Sequence, residues 1–230
     1  MDLQYCLISN KKFLTGQGLE LRNQIYKMWK ARWGQIYEEQ GSEHHPTADD
    51  FVRHDFFSVL VSHGKLIGFS AHTMMDFQDQ STYDRDFFSM FTRSYSSALQ
   101  KLGVNRVMTF ESLMVDPELK RNPWELPLSR LIMRLNSYLL NLTSAEAMMA
   151  VARKDNGVSH NLELVGYRMV EANKDCRGFP CDLKTLLRGE HLEPIVDKTE
   201  PVALALWNKR QQFDGIEFLG NQQHRHLKVA

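Results

Sequence analysis

Between Phe110 and Leu135 the chain reads FESLMVDPELKRNPWELPLSRLIMRL. One carboxylate, Glu111, stands in a run with strand character, and two cations, Lys120 and Arg121, precede Asn122 and a helical segment. A carboxylate among apolar residues on a central strand is costly unless it is paired or opens on a cleft. In the first case Glu111 is a structural ion-pair partner; in the second it can serve as a general base. The start of the following helix offers unpaired N–H groups and a partial positive charge, a natural seat for phosphate. Lys120 and Arg121 either add to that field or are solvated loop charges.

Strand alternation predicts the surroundings of the carboxylate. Thr109, Glu111, Leu113 and Val115 would share one face, and Met108, Phe110, Ser112 and Met114 the other. Arg130 and Arg134, four apart on the helix, would point to solvent or a partner.

The elements that must position these groups are legible in part. YCLI (5–8) reads as a first strand. GLELRNQIYKMWKARWGQIYEEQG (18–41) carries apolar residues at helical spacing and is stopped by Gly41. SEHHPTADDFVRHD (42–55) is polar and reads as a loop. FFSVLVSHGKLIGFS (56–70) is a hairpin turning at His63-Gly64-Lys65. DRDFFSMFTRSYSSALQKLG (84–103) reads as one helix, VNRVMTFESLMVD (104–116) as a strand and WELPLSRLIMRLNSYLLNL (124–142) as a helix. AEAMMAVARK (145–154) reads as a strand, DNGVSHNLELVG (155–166) as a short helix and YRMVEA (167–172) as a further strand. Strands cluster early and alternate with helices later, which predicts an α/β protein with a mixed central sheet flanked by helices. Residues 1–179 would form this domain. Residues 180–230 would be a small C-terminal appendage of one short and one longer helix, with Pro201 in the first turn of the latter and a loose end at NQQHRHLKVA.

Composition excludes several classes. The 28 basic and 28 acidic residues cancel, so no global field argues for nucleic acid or an anionic membrane. No apolar run approaches the roughly 18 residues of a membrane span, and the opening residues lack a signal-peptide core, so a cytoplasmic location is expected. Cys6, Cys176 and Cys181 are expected as reduced thiols in that compartment. EHHP (43–46) places histidines side by side without metal-site spacing, so no metal is expected.

ESLMVDPELKRNPWELPLSRLIM followed by AVARKDNGVSHNLELVGYRMV resembles the core of the GNAT-type acyltransferases. There a strand leads through a V-x-P-x-x-R-G-x-G turn, whose amides bind the pyrophosphate of acyl-coenzyme A, into a helix. The resemblance covers roughly residues 5 to 172, the hairpin at 56–70 included. It implies a GNAT-like sheet and transfer of an acyl group from a thioester to the amine of a small molecule such as an amino acid. Glu111 would take the amine's proton, and amides near Met114 and Val115 would hold the thioester or pantetheine arm. Lys120, Arg121, Asn122 and the helix-leading Asn156 would meet the donor. No cofactor would be permanently bound; acyl-coenzyme A or acyl-carrier-protein phosphopantetheine would be the co-substrate. Two departures stand out. Val115 to Arg121 match the approach to the turn, but Asn122, Pro123, Trp124 and Glu125 replace its glycines, adding side chains and removing one donor. The position four before Gly166, where many relatives carry a proton-donating tyrosine, is Leu162; His160 and Tyr167 are the nearby substitutes.

A narrower resemblance is to the autoinducer synthases and N-acyl amino acid synthases, which take acyl groups from acyl carrier protein. Their N-terminal pattern is similar to Arg22, Tyr26 and Trp33, which would then line an acceptor pocket, and Asp49, Asp50 and Asp55 loosely echo their acidic pair. Their arginine after the third strand is missing near Ala71-His72, where His72 could face the cleft. Their strand-four glutamate falls at Thr109. Met74, Met75, Met148 and Met149 could line an acyl tunnel or simply fill the core. The rival function is a GNAT-fold protein that binds a ligand or partner without catalysis.

Overall fold

The computed structural model describes residues 2–41, 43, 45–176, 178–190 and 198–213, and of Lys120 the backbone only. The side chain of Lys120, His44 of the EHHP stretch and the C-terminal NQQHRHLKVA lie outside the described residues.

Among the described residues nine strands form one mixed sheet: β1 (Gln4–Ser9), β2 (Phe56–Ser62), β3 (Lys65–His72), β4 (Met74–Asp76), β5 (Arg106–Val115), β6 (Ala147–Arg153), β7 (Arg168–Cys176), β8 (Phe179–Leu187) and β9 (Gln211–Phe213). The order is β7-β8-β6-β5-β3-β2-β1-β9, with β4 beside β5. The pairs β5–β6 and β1–β9 are parallel and the rest antiparallel.

Among the described residues seven α-helices flank the sheet: α1 (Gly16–Glu39), α2 (Ala48–Val52), α3 (Asp86–Ser89), α4 (Arg93–Lys101), α5 (Leu128–Leu140), α6 (Val158–Leu164) and α7 (Thr199–Asn208). Side chains of α5, α6 and α7 meet Tyr5, Leu60, Met108, Phe110 and Met148 in one core layer. On the opposite face α1 and α2 pack against Ile8, Phe57, Val59, Phe69 and Met114, and α3 and α4 against Val107, Met149 and Leu183. The ladder Leu21, Ile25, Trp29, Trp33, Tyr37 repeats every fourth residue, which keeps one stripe of α1 on the sheet. Met75, Met148 and Met149 fill these cores, and Met74 packs partly buried against the first.

Several elements differ from the sequence reading. The stretch 42–55 contains α2, a helix of five residues held by a Thr47/Asp50 capping box and by burial of Phe51. The expected helix over 84–103 is two, because Phe87, Phe88 and Phe91 all turn into one cluster and Thr92 starts a new helix. α5 begins at Leu128, since Pro127 disfavours helical backbone at the residue before it. Residues 179–187 are a strand, β8, lying between β6 and β7. The expected boundary at 180 therefore falls inside the β7–β8 hairpin. A short apolar run such as CDLKTLL carries no decisive period, and pairing on both sides decided it. Arg134 is buried rather than solvent-facing, and its Nε lies 2.7 Å from Glu200 Oε2 on α7. All three cysteines are buried free thiols.

Gly68 on β3 fixes how closely β5 can approach. A Cβ there would stand 2.7 Å from the Met114 carbonyl oxygen, 3.1 Å from Ile132 Cδ1 and 3.2 Å from Val115 Cα. The Ile132 side chain can shift, but the two β5 backbone atoms cannot give way without moving the strand. Gly68→Ala is expected to cost about 1–3 kcal/mol, more than the entropic gain of alanine over glycine. Urea unfolding checks this, with an unchanged midpoint as the contrary result.

Candidate functional site

The site is built around an extra residue in β5. On β3 two steps separate Phe69 from Ala71, while their partners Met114 and Glu111 are three steps apart, so β5 bulges between them. Ser112 takes φ 51° there, a left-handed conformation that costs a side-chain-bearing residue about 1–3 kcal/mol. The bulge overturns strict alternation. Leu113 and Val115 join the α5 face with Met108 and Phe110, while Glu111, Ser112 and Met114 lie on the α1 face.

Beside the bulge β5 loses its parallel neighbour. Pairing with β6 runs from Val107↔Ala147 to Phe110↔Ala150 and stops, although β5 continues to Val115 and β6 to Arg153. Successive amides of a strand point to opposite sides. Asp116 N–H donates to the Ile67 carbonyl at 2.9 Å on the β3 side. The Met114 amide therefore points to β3 as well, and the Val115 amide points into the opening between β5 and β6. Of the two amides expected to hold a donor, only that of Val115 is so directed.

Glu111 lies at the edge of this opening, its side chain about one-tenth exposed. Its Oε1 accepts from Thr109 Oγ1 at 2.7 Å and lies 3.9 Å from His54 Nδ1, and its Oε2 accepts from Arg53 Nη2. Arg53 is the C-cap of α2, its N–H bonded to the Asp49 carbonyl at 3.1 Å, and His54 follows it. This corner is tied to α1. Asn10 Nδ2 donates to the carbonyls of Phe51 at 3.0 Å and His54 at 3.1 Å, and Arg22 Nε donates to Asn10 Oδ1 at 2.8 Å. Arg22 thus anchors the segment that carries Arg53 and His54. Trp33 reaches the site, its indole N–H donating to Ser112 Oγ at 3.3 Å. Tyr26 lies further back, packed on Phe51 and Trp29 with ring centroids 5.0 and 6.3 Å away.

Two histidines near Glu111 are neutral. Burial holds the His54 pKa down to about 3, with Arg53 and Lys11 adding to the effect. His72 is fully buried between Phe56 and Phe110 and does not face the cleft. Its Nδ1 donates to the Thr109 carbonyl at 2.9 Å, and its Nε2 meets Ser58 Oγ and Ser70 Oγ at 3.2 and 3.1 Å. Asn136 closes this group, donating to Ser70 Oγ at 2.8 Å and accepting from Ser58 Oγ at 2.7 Å. Burial again brings the His72 pKa down, to about 4. Its role is to hold β3 against β5 at Thr109, the residue that hydrogen-bonds Glu111.

The loop from β5 to α5 is closed on itself. Asn122 Oδ1 accepts from Leu126 N–H at 3.2 Å, its Nδ2 donates to the Leu126 carbonyl at 2.8 Å, and its carbonyl accepts from Glu125 N–H at 3.1 Å. Trp124 packs on the core, and Arg121 is exposed on a 3-10 turn over Pro117–Arg121. Asn122 is therefore a loop fastener, and the Glu125 and Leu126 amides are already bonded within the loop. Asn156 likewise accepts from Val158 N–H at 3.1 Å at the head of α6. The two substitutes for a proton-donating tyrosine are not brought to Glu111. His160 is exposed on α6, 4.0 Å from Glu163. Tyr167 is buried, its hydroxyl 2.6 Å from Met148 Sδ, and burial pushes its pKa up. Strand alternation places Thr109 beside Glu111, but nothing local points to Arg53 and His54 as its partners. The separations of 58 residues for Arg53 and 41 for the Asn10–Phe51 tie leave no local signal. Among the described residues no group of His, Cys, Asp and Glu could hold a metal ion, and no helix is long and apolar enough to cross a membrane.

No protein-family model and no curated protein sequence matches the chain. Solved structures do. FeeM, an N-acyl amino acid synthase from uncultured soil microbes, superposes with a TM-score of 0.56 at 12% identity, covering 82% of this chain and 92% of its own. BjaI, a coenzyme A-dependent acyl-homoserine lactone synthase solved with SAM and isopentyl-CoA, gives 0.53 at 11% identity over 91% and 93%. A Drosophila melanogaster polyamine N-acetyltransferase gives 0.53 at 10% identity over 80% and 100%. The chain has the fold of the GNAT-type N-acyltransferases. At these identities the likeness is one of fold, and function must be argued from the site.

Proposed function

We propose that the protein transfers an acyl group from a phosphopantetheine thioester, on coenzyme A or on acyl carrier protein, to the amine of a small molecule such as an amino acid. One observation carries this reading: the Glu111 carboxylate stands at the β5 bulge, beside the opening into which the Val115 amide is directed. A pantetheine arm entering between β5 and β6 would bring its thioester carbonyl to that amide, which would stabilise the developing oxyanion. Glu111 takes one proton from the acceptor's ammonium group. The free amine attacks the carbonyl, the C–N bond forms, the C–S bond breaks, and a second amine proton leaves with the thiolate. The internally bonded Glu125 and Leu126 amides leave the first turn of α5, with Arg121, as the seat for donor phosphate.

The test measures thiol release and acyl-amine formation with palmitoyl-coenzyme A and palmitoyl-acyl carrier protein, each offered a mixture of amino acids and simple amines. Product from at least one donor is expected, with thermal stabilisation of the protein by that donor. Stabilisation by neither donor and no product would overturn the reading and favour a GNAT-fold binding protein without catalysis.

A further inference from the structure

The Glu111 carboxylate is held from two sides of different character. Thr109 and His54 are buried and face Oε1, whereas the Arg53 side chain on Oε2 is 44% exposed. The accessible approach to the carboxylate is therefore the one that the guanidinium occupies. The backbone of Arg53 is fixed, its N–H on the Asp49 carbonyl and its own carbonyl accepting from Lys11 Nζ at 3.2 Å. Only the side chain is free to swing. Lys11 is engaged with the Val52 and Arg53 carbonyls and lies 3.7 Å from Asp55. Asp55 in turn accepts from Met74 N–H at 2.6 Å, so neither of these charges competes at Glu111.

A simple amine entering here brings a second cation to one carboxylate and leaves ammonium and guanidinium side by side. A zwitterion does not. Its carboxylate can take the guanidinium as its ammonium takes the place vacated at Glu111, so every charge stays paired through the exchange. The planar fork of arginine suits a carboxylate, and swapping one carboxylate partner for another costs it little. We infer that Arg53 is the carboxylate receptor of the site and selects acceptors that carry a carboxylate beside the amine, α-amino acids above all. Glu111 is masked by Arg53 until such an acceptor draws the guanidinium away, and Thr109 keeps it in place meanwhile. The inference rests on the acyl-transfer reading for the use of the bound amine, but the recognition itself can be measured by binding alone.

Isothermal titration with the common amino acids and with their decarboxylated amines tests it. The wild-type protein is expected to bind at least one amino acid about tenfold to a hundredfold more tightly than the matching amine. Arg53→Gln should abolish that preference by weakening the amino acid and not the amine, with Arg53→Lys in between. Melting curves confirm that the variants fold, as the half-exposed position predicts. Equal binding of both members of every pair, no binding by any of them, or a preference intact in Arg53→Gln overturns the assignment. Selective binding with neither stabilisation by, nor acyl transfer from, either palmitoyl donor would instead sink the acyl-transfer reading and leave the zwitterion site standing.

Discussion

Glu111→Gln is expected to lower turnover roughly 10²–10⁴-fold, the usual contribution of a positioned general base, while donor affinity stays within twofold or so of the wild type. Glutamine keeps the size of the side chain and an oxygen that can accept from Arg53 Nη2, while the Thr109 hydroxyl can turn to accept from its amide N–H, so the bulge and its neighbours persist. It cannot take a proton from an ammonium group. Loss of kcat with retained donor binding is thus the signature of the missing base, not of a collapsed site. Steady-state kinetics with the active donor and titration of that donor into the variant measure the two quantities. Near-normal turnover in Glu111→Gln would sink the assignment of Glu111.

Acid is expected to unfold the protein early, and His54 and His72 are the cause. Burial holds their folded-state pKa values near 3 and 4, while an unfolded histidine titrates near 6.5. Between those values the unfolded chain binds protons that the folded one refuses, so stability rises with pH there. The stabilisation is complete above about pH 6.5 and is lost as pH falls toward 4. At about 1.4 kcal/mol for each pH unit, His72 alone removes roughly 3 kcal/mol and His54 a similar amount. That is a large part of the 5–15 kcal/mol typical of a domain. Melting temperature should be level from pH 8 to 7 and drop steadily from about 6 to 5, above the range where carboxylates contribute. His72→Gln should flatten the drop. A level profile down to pH 5 would contradict the neutral, buried histidines.

The same residues mark where reading the chain succeeds. The fourth-residue ladder of α1, the hairpin at His63-Gly64 and the strand bearing Glu111 all announce themselves through local period and turn chemistry. Departures arise where neighbours decide. CDLKTLL becomes a strand because β6 and β7 pair with it on both sides. Trp124 leaves the helix because it packs on the core and Asn122 fastens its loop. Alternation along β5 fails at Ser112, because the register with β3 requires one residue more than the pattern shows.

The sequence by itself determined the α/β class, the order of most elements, and the presence of one carboxylate on a central strand ahead of a turn without glycine. These follow from periodicity and residue type, which act over a few positions. Only the tertiary structure decided what that carboxylate touches. Arg53 and His54 reach Glu111 because α2 is pinned by Asn10 to the end of β1, a contact made across 41 residues. The amide facing the opening is that of Val115 because a bulge and the end of β6 pairing coincide. Long-range contacts of this kind depend on how the sheet and helices close, which no window along the chain can contain.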